Sequence, residues 1–103
     1  MSLRDNQRLY LMQNSLHLSK IGIALNPERR RRSLETSSGL SIKLVKCWQV
    51  MDGTALQAEQ YLHRHFARRR HQGEWFDTIT VPDVEYAGYE LRQCNTDGSE
   101  KRQ

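Results

Sequence analysis

The sequence predicts a small α+β domain, with a three-stranded, mainly antiparallel sheet flanked by helices. Three observations predict it. Two apolar segments, residues 8–13 and 16–24, flank the turn signal Asn14-Ser15. Two helix-start signals follow, Asn26-Pro27 and Thr54 with Gln57 three residues later. A further apolar run at residues 41–50 lies between them, long enough for a third strand.

The elements follow in order. Arg8-Leu9-Tyr10-Leu11-Met12-Gln13 is a short strand. Leu16, Leu18, Ile21 and Ile23 mark the next one, so the pair predicts a hairpin with Tyr10 and Lys20 on neighbouring strands. Asn26 caps free backbone N–H groups and Pro27 suits the first helical position. This helix runs to about Thr36, where Ser37-Ser38-Gly39 ends it. Leu34 is its apolar anchor, and Arg30, four residues earlier, shares that face; the spacing selects Arg30 as the arginine that looks toward the sheet. The third strand has imperfect alternation, which predicts a bulge or burial on both faces. Asp52-Gly53 turns the chain into a second helix, from about Ala55 to Arg70, with the stripe Ala55, Ala58, Leu62, Phe66. A strand over 74–81 and a last helix from Pro82, with Val84, Ala87 and Leu91 as its face, complete the domain. The chain suits one domain, expected over residues 1–94, and residues 95–103 are expected to be a disordered polar tail.

Charge is distributed unevenly. Residues 1–73 hold 13 Lys/Arg against 5 Asp/Glu, whereas residues 74–103 hold 3 against 7. The first part is therefore the candidate polyanion surface. Cys47 and Cys94 show no metal-ligand spacing; Cys47 sits in an apolar run and fits a core thiol. A disulfide is compatible, and a reduced, cytoplasmic protein is the simpler reading. No apolar run is long enough for a membrane span.

Glu59 lies beside the apolar stripe of the second helix. A carboxylate there is costly unless a cation, a donor or a metal partners it. His63, one turn on, shares that edge. Each residue also has a plain structural reading: Tyr10 as a strand aromatic, Lys20 as a solvated lysine, Gly22 as a bulge, the arginines as a solvated face. Glu59 then pairs with Arg64 or Lys20, His63 is a packed histidine, and Trp75 and Phe76 are core.

The ordered set resembles a known family. Tyr10, then Lys20-Ile21-Gly22, Asn26-Pro27-Glu28 with four arginines, Glu59, and Gly73-Glu74-Trp75-Phe76 resemble the GIY-YIG nuclease superfamily over residues 8–90. The order is closest to its T5orf172-like or Mug113-like branch, with KIG for YIG and a terminal GEWF. The resemblance implies Tyr10 as general base for the attacking water, with Lys20 helping to deprotonate it. It implies close backbone approach at Gly22, Arg30 on the scissile phosphate and Glu59 as metal ligand, with Mg²⁺ or Mn²⁺ as cofactor. It implies His63 in a second shell or in proton transfer, and 5′-phosphate and 3′-hydroxyl products. Some features depart from the pattern. Arg8-Leu9 replaces the glycine and isoleucine of the first element, the second element lacks its tyrosine, Leu34 stands where some members carry histidine, and the late asparagine has no counterpart.

Three functions are thus in view. A metal-dependent DNA endonuclease comes first, with Arg29, Arg31, Arg32, Arg64, Arg68, Arg69 and Arg70 steering duplex or single-stranded DNA. A non-catalytic nucleic-acid-binding module on the same scaffold is the second, and metal dependence separates the two. A protein-interaction regulator of a phage or mobile element is the third, recognised by preference for protein over DNA. A protein partner or a homodimer stays open.

Overall fold

The computed structural model describes residues 6–94. β1 (Arg8–Asn14) and β2 (Ser19–Ala24) form the expected hairpin, with Tyr10 opposite Gly22 and Met12 opposite Lys20. Asn14 shapes the turn: its Oδ1 accepts from Leu16 N at 2.9 Å and Leu18 N at 3.1 Å. Side-chain acceptance of turn amides is why asparagine suits this place.

α1 (Pro27–Ser38) starts where Asn26 Oδ1 accepts from Arg29 N at 3.0 Å and stops at Gly39, whose φ of 74° few other residues tolerate. β3 (Ile42–Val50) pairs with the free side of β1. Leu11 faces Lys46 while Met12 faces Leu44, so Val45 is the extra residue of the bulge that the broken alternation predicted. α2 (Ala55–His65) begins at a complete capping box between Thr54 and Gln57.

The remainder departs from expectation. The sheet has six strands rather than three, in the order β4-β5-β2-β1-β3-β6, with antiparallel pairing throughout. The added strands are β4 (Arg70–Gln72), β5 (Trp75–Phe76) and β6 (Leu91–Gln93), which are too short to show a period. α2 ends at His65, well before Arg70. Instead a 3-10 turn spans Ala67–Arg69, the Arg69 guanidinium lies 5.3 Å from the Phe66 ring, and that of Arg70 lies 5.0 Å from Phe76. The expected strand over 74–81 shrinks to Trp75–Phe76, and α3 covers Val81–Glu85. Gly88, at φ 108°, breaks the expected helical face, and Leu91 pairs with Val50 in β6 instead. Residues 95–103, expected as a polar tail, lie outside the described residues.

The sheet is packed on both faces. Toward α2 and α3, Leu9, Leu11, Ile21, Trp48 and Phe76 meet Ala55, Ala58, Leu62, Phe66 and Val84. Full burial of each large apolar side chain contributes about 1.5–3 kcal/mol. Toward α1, a smaller cluster holds Tyr10, Met12, Ile42, Cys47 and Cys94, with Leu34 and Trp75 against it. Phe76 is fully buried, so the core reading of that aromatic holds. The two cysteine sulfurs lie 3.2 Å apart as thiols, both buried, although 47 residues separate them in sequence. Among the described residues no helix is long and apolar enough to cross a membrane.

Candidate active site

The site forms at the edge of β2, because α1 and α2 lie on opposite faces of the sheet and can approach each other only around an edge. β5 pairs with β2 at Ser19 and Lys20 alone. Beyond Lys20 no strand among the described residues covers the outer side of β2. His63 of α2 uses this opening: its Nε2–H donates to Ile21 O at 2.7 Å. The bond pins α2 to the edge, and because a carbonyl oxygen can only accept, it places a proton on Nε2. The His63 ring also packs 5.3 Å from Phe76. Glu59, one turn earlier, faces the same opening.

Tyr10 approaches from the α1 side. Its side chain is buried and lies across Gly22. A Cβ at position 22 would overlap the phenol oxygen and stand 2.5 Å from Cζ and 3.0 Å from Cε1, so only glycine fits beneath the ring. Arg30 approaches the phenol from α1, close enough for its guanidinium to act on it. Burial pushes the Tyr10 phenol above its ordinary value; the Arg30 guanidinium pulls it down, and Glu59 and Glu74 push it up. Arg30 is itself exposed, and the more buried arginine of the run is Arg31, so only its action on the Tyr10 phenol relates Arg30 to the sheet.

Lys20 is 5% exposed. Its Nζ donates to Glu74 Oε1 at 2.6 Å and lies 5.7 Å from the centre of the Trp75 ring. Glu74 sits in the turn between β4 and β5 and is held below the usual carboxylate range, first by that hydrogen bond and then by the charge of Lys20. Glu59 is half-buried and has no hydrogen bond or ion pair among the described residues. Burial holds its carboxyl above the usual range; Glu74 adds to the shift, while His63 and Lys20 oppose it. The structural reading that paired Glu59 with Arg64 or Lys20 therefore fails: Lys20 bonds Glu74, and Arg64 lies on the outer side of α2 with Gln57, Gln60 and Tyr61.

The arginine runs divide. Arg29 and Arg30 line a groove of about 470 Å³ with Gln7, Asn26 and Ser33. Arg31 is bound at Glu28 Oε2 (2.6 Å), Glu35 Oε1 (2.8 Å) and Ile42 O (3.2 Å), which ties α1 to β3. Arg32 stands 3.7 Å from Glu28 and remains mostly exposed. Arg69 pairs with Asp83 at 2.9 Å, and Arg70 donates to Gly73 O at 2.6 Å. Arg64 and Arg68 are exposed.

Electrostatic influence thus links the candidate residues in turn: Arg30 and Glu59 act on Tyr10, and His63 and Lys20 act on Glu59. Glu74 completes the set, and sequence reasoning assigned it no role there. The signal was indirect: a lysine on a strand buried on both faces requires an acid from elsewhere in the chain. Among the described residues no three His, Cys, Asp or Glu side chains gather to hold a metal. The donor set fits only a hard divalent ion that takes one carboxylate and completes its shell with water and substrate oxygens. The uncommitted oxygens of Glu59 suit that ion.

Comparison with known proteins supports the T5orf172 part of the resemblance. The T5orf172 domain model matches residues 7–93, and the chain belongs to that family. No curated protein and no solved structure matches the chain.

Proposed function

We propose that the chain is a metal-dependent DNA endonuclease of the GIY-YIG type, in the variant with KIG and GEWF elements. The observation that carries this reading is the meeting of Tyr10, Arg30 and an unpartnered Glu59 at one open strand edge. Hydrolysis of a phosphodiester needs a base for the attacking water, a cation for the phosphate, and charge neutralisation at the leaving oxygen. Tyr10 takes the proton of the water. Its phenol is protonated in the resting protein, so the reactive form is a minor phenolate, and Arg30 is the group that stabilises it. Arg30 also borders the groove with Arg29, where it can meet a phosphate on its way to the phenol.

Lys20 has a different role from deprotonating Tyr10. Its ammonium already donates to Glu74, so it serves as a fixed positive charge. Glu59 would hold Mg²⁺ or Mn²⁺, which supplies charge stabilisation at the phosphate and the leaving 3′ oxygen. His63 fixes α2, and thereby Glu59, against β2. Cleavage would leave 5′-phosphate and 3′-hydroxyl ends. The exposed Arg29, Arg64 and Arg68, and Arg32 beyond its contact with Glu28, can meet backbone phosphates, which gives affinity without sequence reading.

The test is nicking of supercoiled plasmid and of labelled single-stranded DNA in Mg²⁺, Mn²⁺ or EDTA. Metal-dependent nicking by the wild type, lost in Arg30→Ala and Glu59→Ala with circular dichroism unchanged, supports the reading. Binding of both DNAs without cutting in any metal overturns catalysis and leaves a nucleic-acid-binding module. The exposed Arg29, Arg64 and Arg68 are what favour that second reading.

A further inference from the structure

We propose that Glu74 is a positioning residue that reserves Glu59 for the divalent cation by holding the Lys20 ammonium away from it. The inference rests on the reading of Glu59 as the metal ligand and adds a residue to which that reading gave no part.

Counter-charge is short around Lys20. Lys20 is fixed on β2 with its side chain 7% exposed, so water cannot satisfy its ammonium and a protein anion must. Glu74 is bonded to it, and Glu59 is the other carboxylate on which its charge acts. The ammonium bonds Glu74 at 2.6 Å, and Glu59 is left with no hydrogen bond or ion pair among the described residues. The assignment runs against simple burial. Glu74 is 69% exposed and would be well hydrated alone, whereas Glu59 is half-buried and has more to gain from a cation. The chain places Glu74 to win. Trp75 is directly opposite Lys20 in the β2–β5 register, so the preceding residue delivers its carboxylate to the end of the lysine. The Trp75 ring beside Nζ limits where the ammonium can turn.

Without the charge on Glu74, the remaining carboxylate for Lys20 is Glu59. A lysine paired there competes with a dication for the same oxygens. The influence of Lys20 on the Glu59 carboxyl already shows that the two groups sense each other.

The test follows Mn²⁺ binding by paramagnetic broadening of amide NMR signals near residues 59–63, without DNA, so that it does not depend on cleavage. Wild type, Glu59→Gln, Glu74→Gln and the double variant Lys20→Met/Glu74→Gln are compared. Glu74 is exposed, and the amide keeps its shape, so folding is retained. The expected half-broadening concentration rises about 10- to 100-fold in Glu74→Gln, the range for loss of a group that orients a metal ligand. It returns toward wild type in the double variant, because removing the ammonium frees Glu59 again. An unchanged value in Glu74→Gln overturns the proposal. A value that rises and stays high in the double variant also overturns it, making Glu74 a ligand itself. Broadening that is indifferent to Glu59→Gln instead sinks the underlying assignment of Glu59, a result the other arms cannot mimic.

Discussion

Replacing Gly22 with alanine tests the seat of Tyr10 directly. Gly22 lies in β2 with a backbone φ outside the left-handed range, so an alanine suffers no backbone strain there. In open space the change would stabilise the strand by about 0.4–1 kcal/mol, through loss of freedom in the unfolded chain. The space is not open. The new methyl would overlap the Tyr10 hydroxyl and stand 2.5 Å from Cζ, where ordinary contact begins near 3.4 Å. Tyr10 is 1% exposed and packed among Met12, Ile42 and Cys47, so its ring has nowhere to retreat. Overpacking of this kind costs about 1–3 kcal/mol. The predicted sign therefore depends on residue 10. Gly22→Ala destabilises the wild type by about 1–3 kcal/mol. In a Tyr10→Leu background, which removes the atoms in conflict, it becomes neutral or stabilising by up to about 1 kcal/mol. Urea unfolding of the four proteins closes the cycle, with a coupling expected above about 1 kcal/mol. An equal cost of Gly22→Ala in both backgrounds would refute the contact, and with it the claim that glycine is present to seat the phenol.

Other perturbations follow from the same site. Glu59 has a raised carboxyl in the folded chain, so its protonated form is the favoured one: the stability it contributes is full below the unfolded value near 4.5 and is lost as pH rises through the folded value. At neutral pH without metal, Glu59→Gln should therefore raise Tm, read by thermal unfolding in EDTA; a lower Tm would argue that Glu59 has a stabilising partner. If Tyr10 acts as phenolate, the cleavage rate should climb about tenfold per pH unit below its raised value, and Arg30→Lys should move the rise to higher pH; a flat pH–rate profile would count against the phenolate. Arg29→Ala should weaken DNA binding and reduce the slope of log affinity against log salt by about one. Arg31→Ala should instead lower stability with little change in that slope, because its guanidinium is committed to Glu28 and Glu35; filter binding across a salt series beside urea unfolding distinguishes the two.

Much of the frame was legible because it is written locally. The β1–β2 hairpin announced itself by alternation around Asn14, and both long helices by caps that the structure reproduces at Asn26 and Thr54. The choice of Arg30 rested on its four-residue step from Leu34; its guanidinium acts on Tyr10, but Arg30 is exposed and Arg31 is the arginine bonded to β3. The fate of the other arginines was legible in part: Glu28 and Glu35 stand three residues before and four after Arg31, the spacing of helical ion pairs. Reading the run as one basic block concealed this. What sequence could not show was non-local. Strands of two or three residues carry no period, so β4, β5 and β6 were absorbed into a longer helix, a longer strand and another helix. The acid that answers Lys20 is 54 residues away, and only the sheet order that puts β5 beside β2 identifies it.

The same short hairpin explains why this edge stays open beside the candidate site. Had β5 begun one residue earlier, Glu74 would pair with Ile21 and its backbone would cover the carbonyl that His63 now uses. The Gly73-Glu74 turn prevents this, with Gly73 at φ 58°, a conformation suited to the first central position of a two-residue hairpin loop. On the other side of β5 the chain departs as well: Asp77 N donates to Arg69 O at 2.6 Å and Ile79 N to Ser19 Oγ at 2.8 Å, both away from Ile21. The turn thus ends the pairing where the edge must stay open and, in the same two residues, brings the Glu74 carboxylate to Lys20. An uncovered strand edge is ordinarily a liability that invites pairing with another chain. Here His63 occupies one of its acceptors, and the charged groups around it make the remainder a poor partner for another strand.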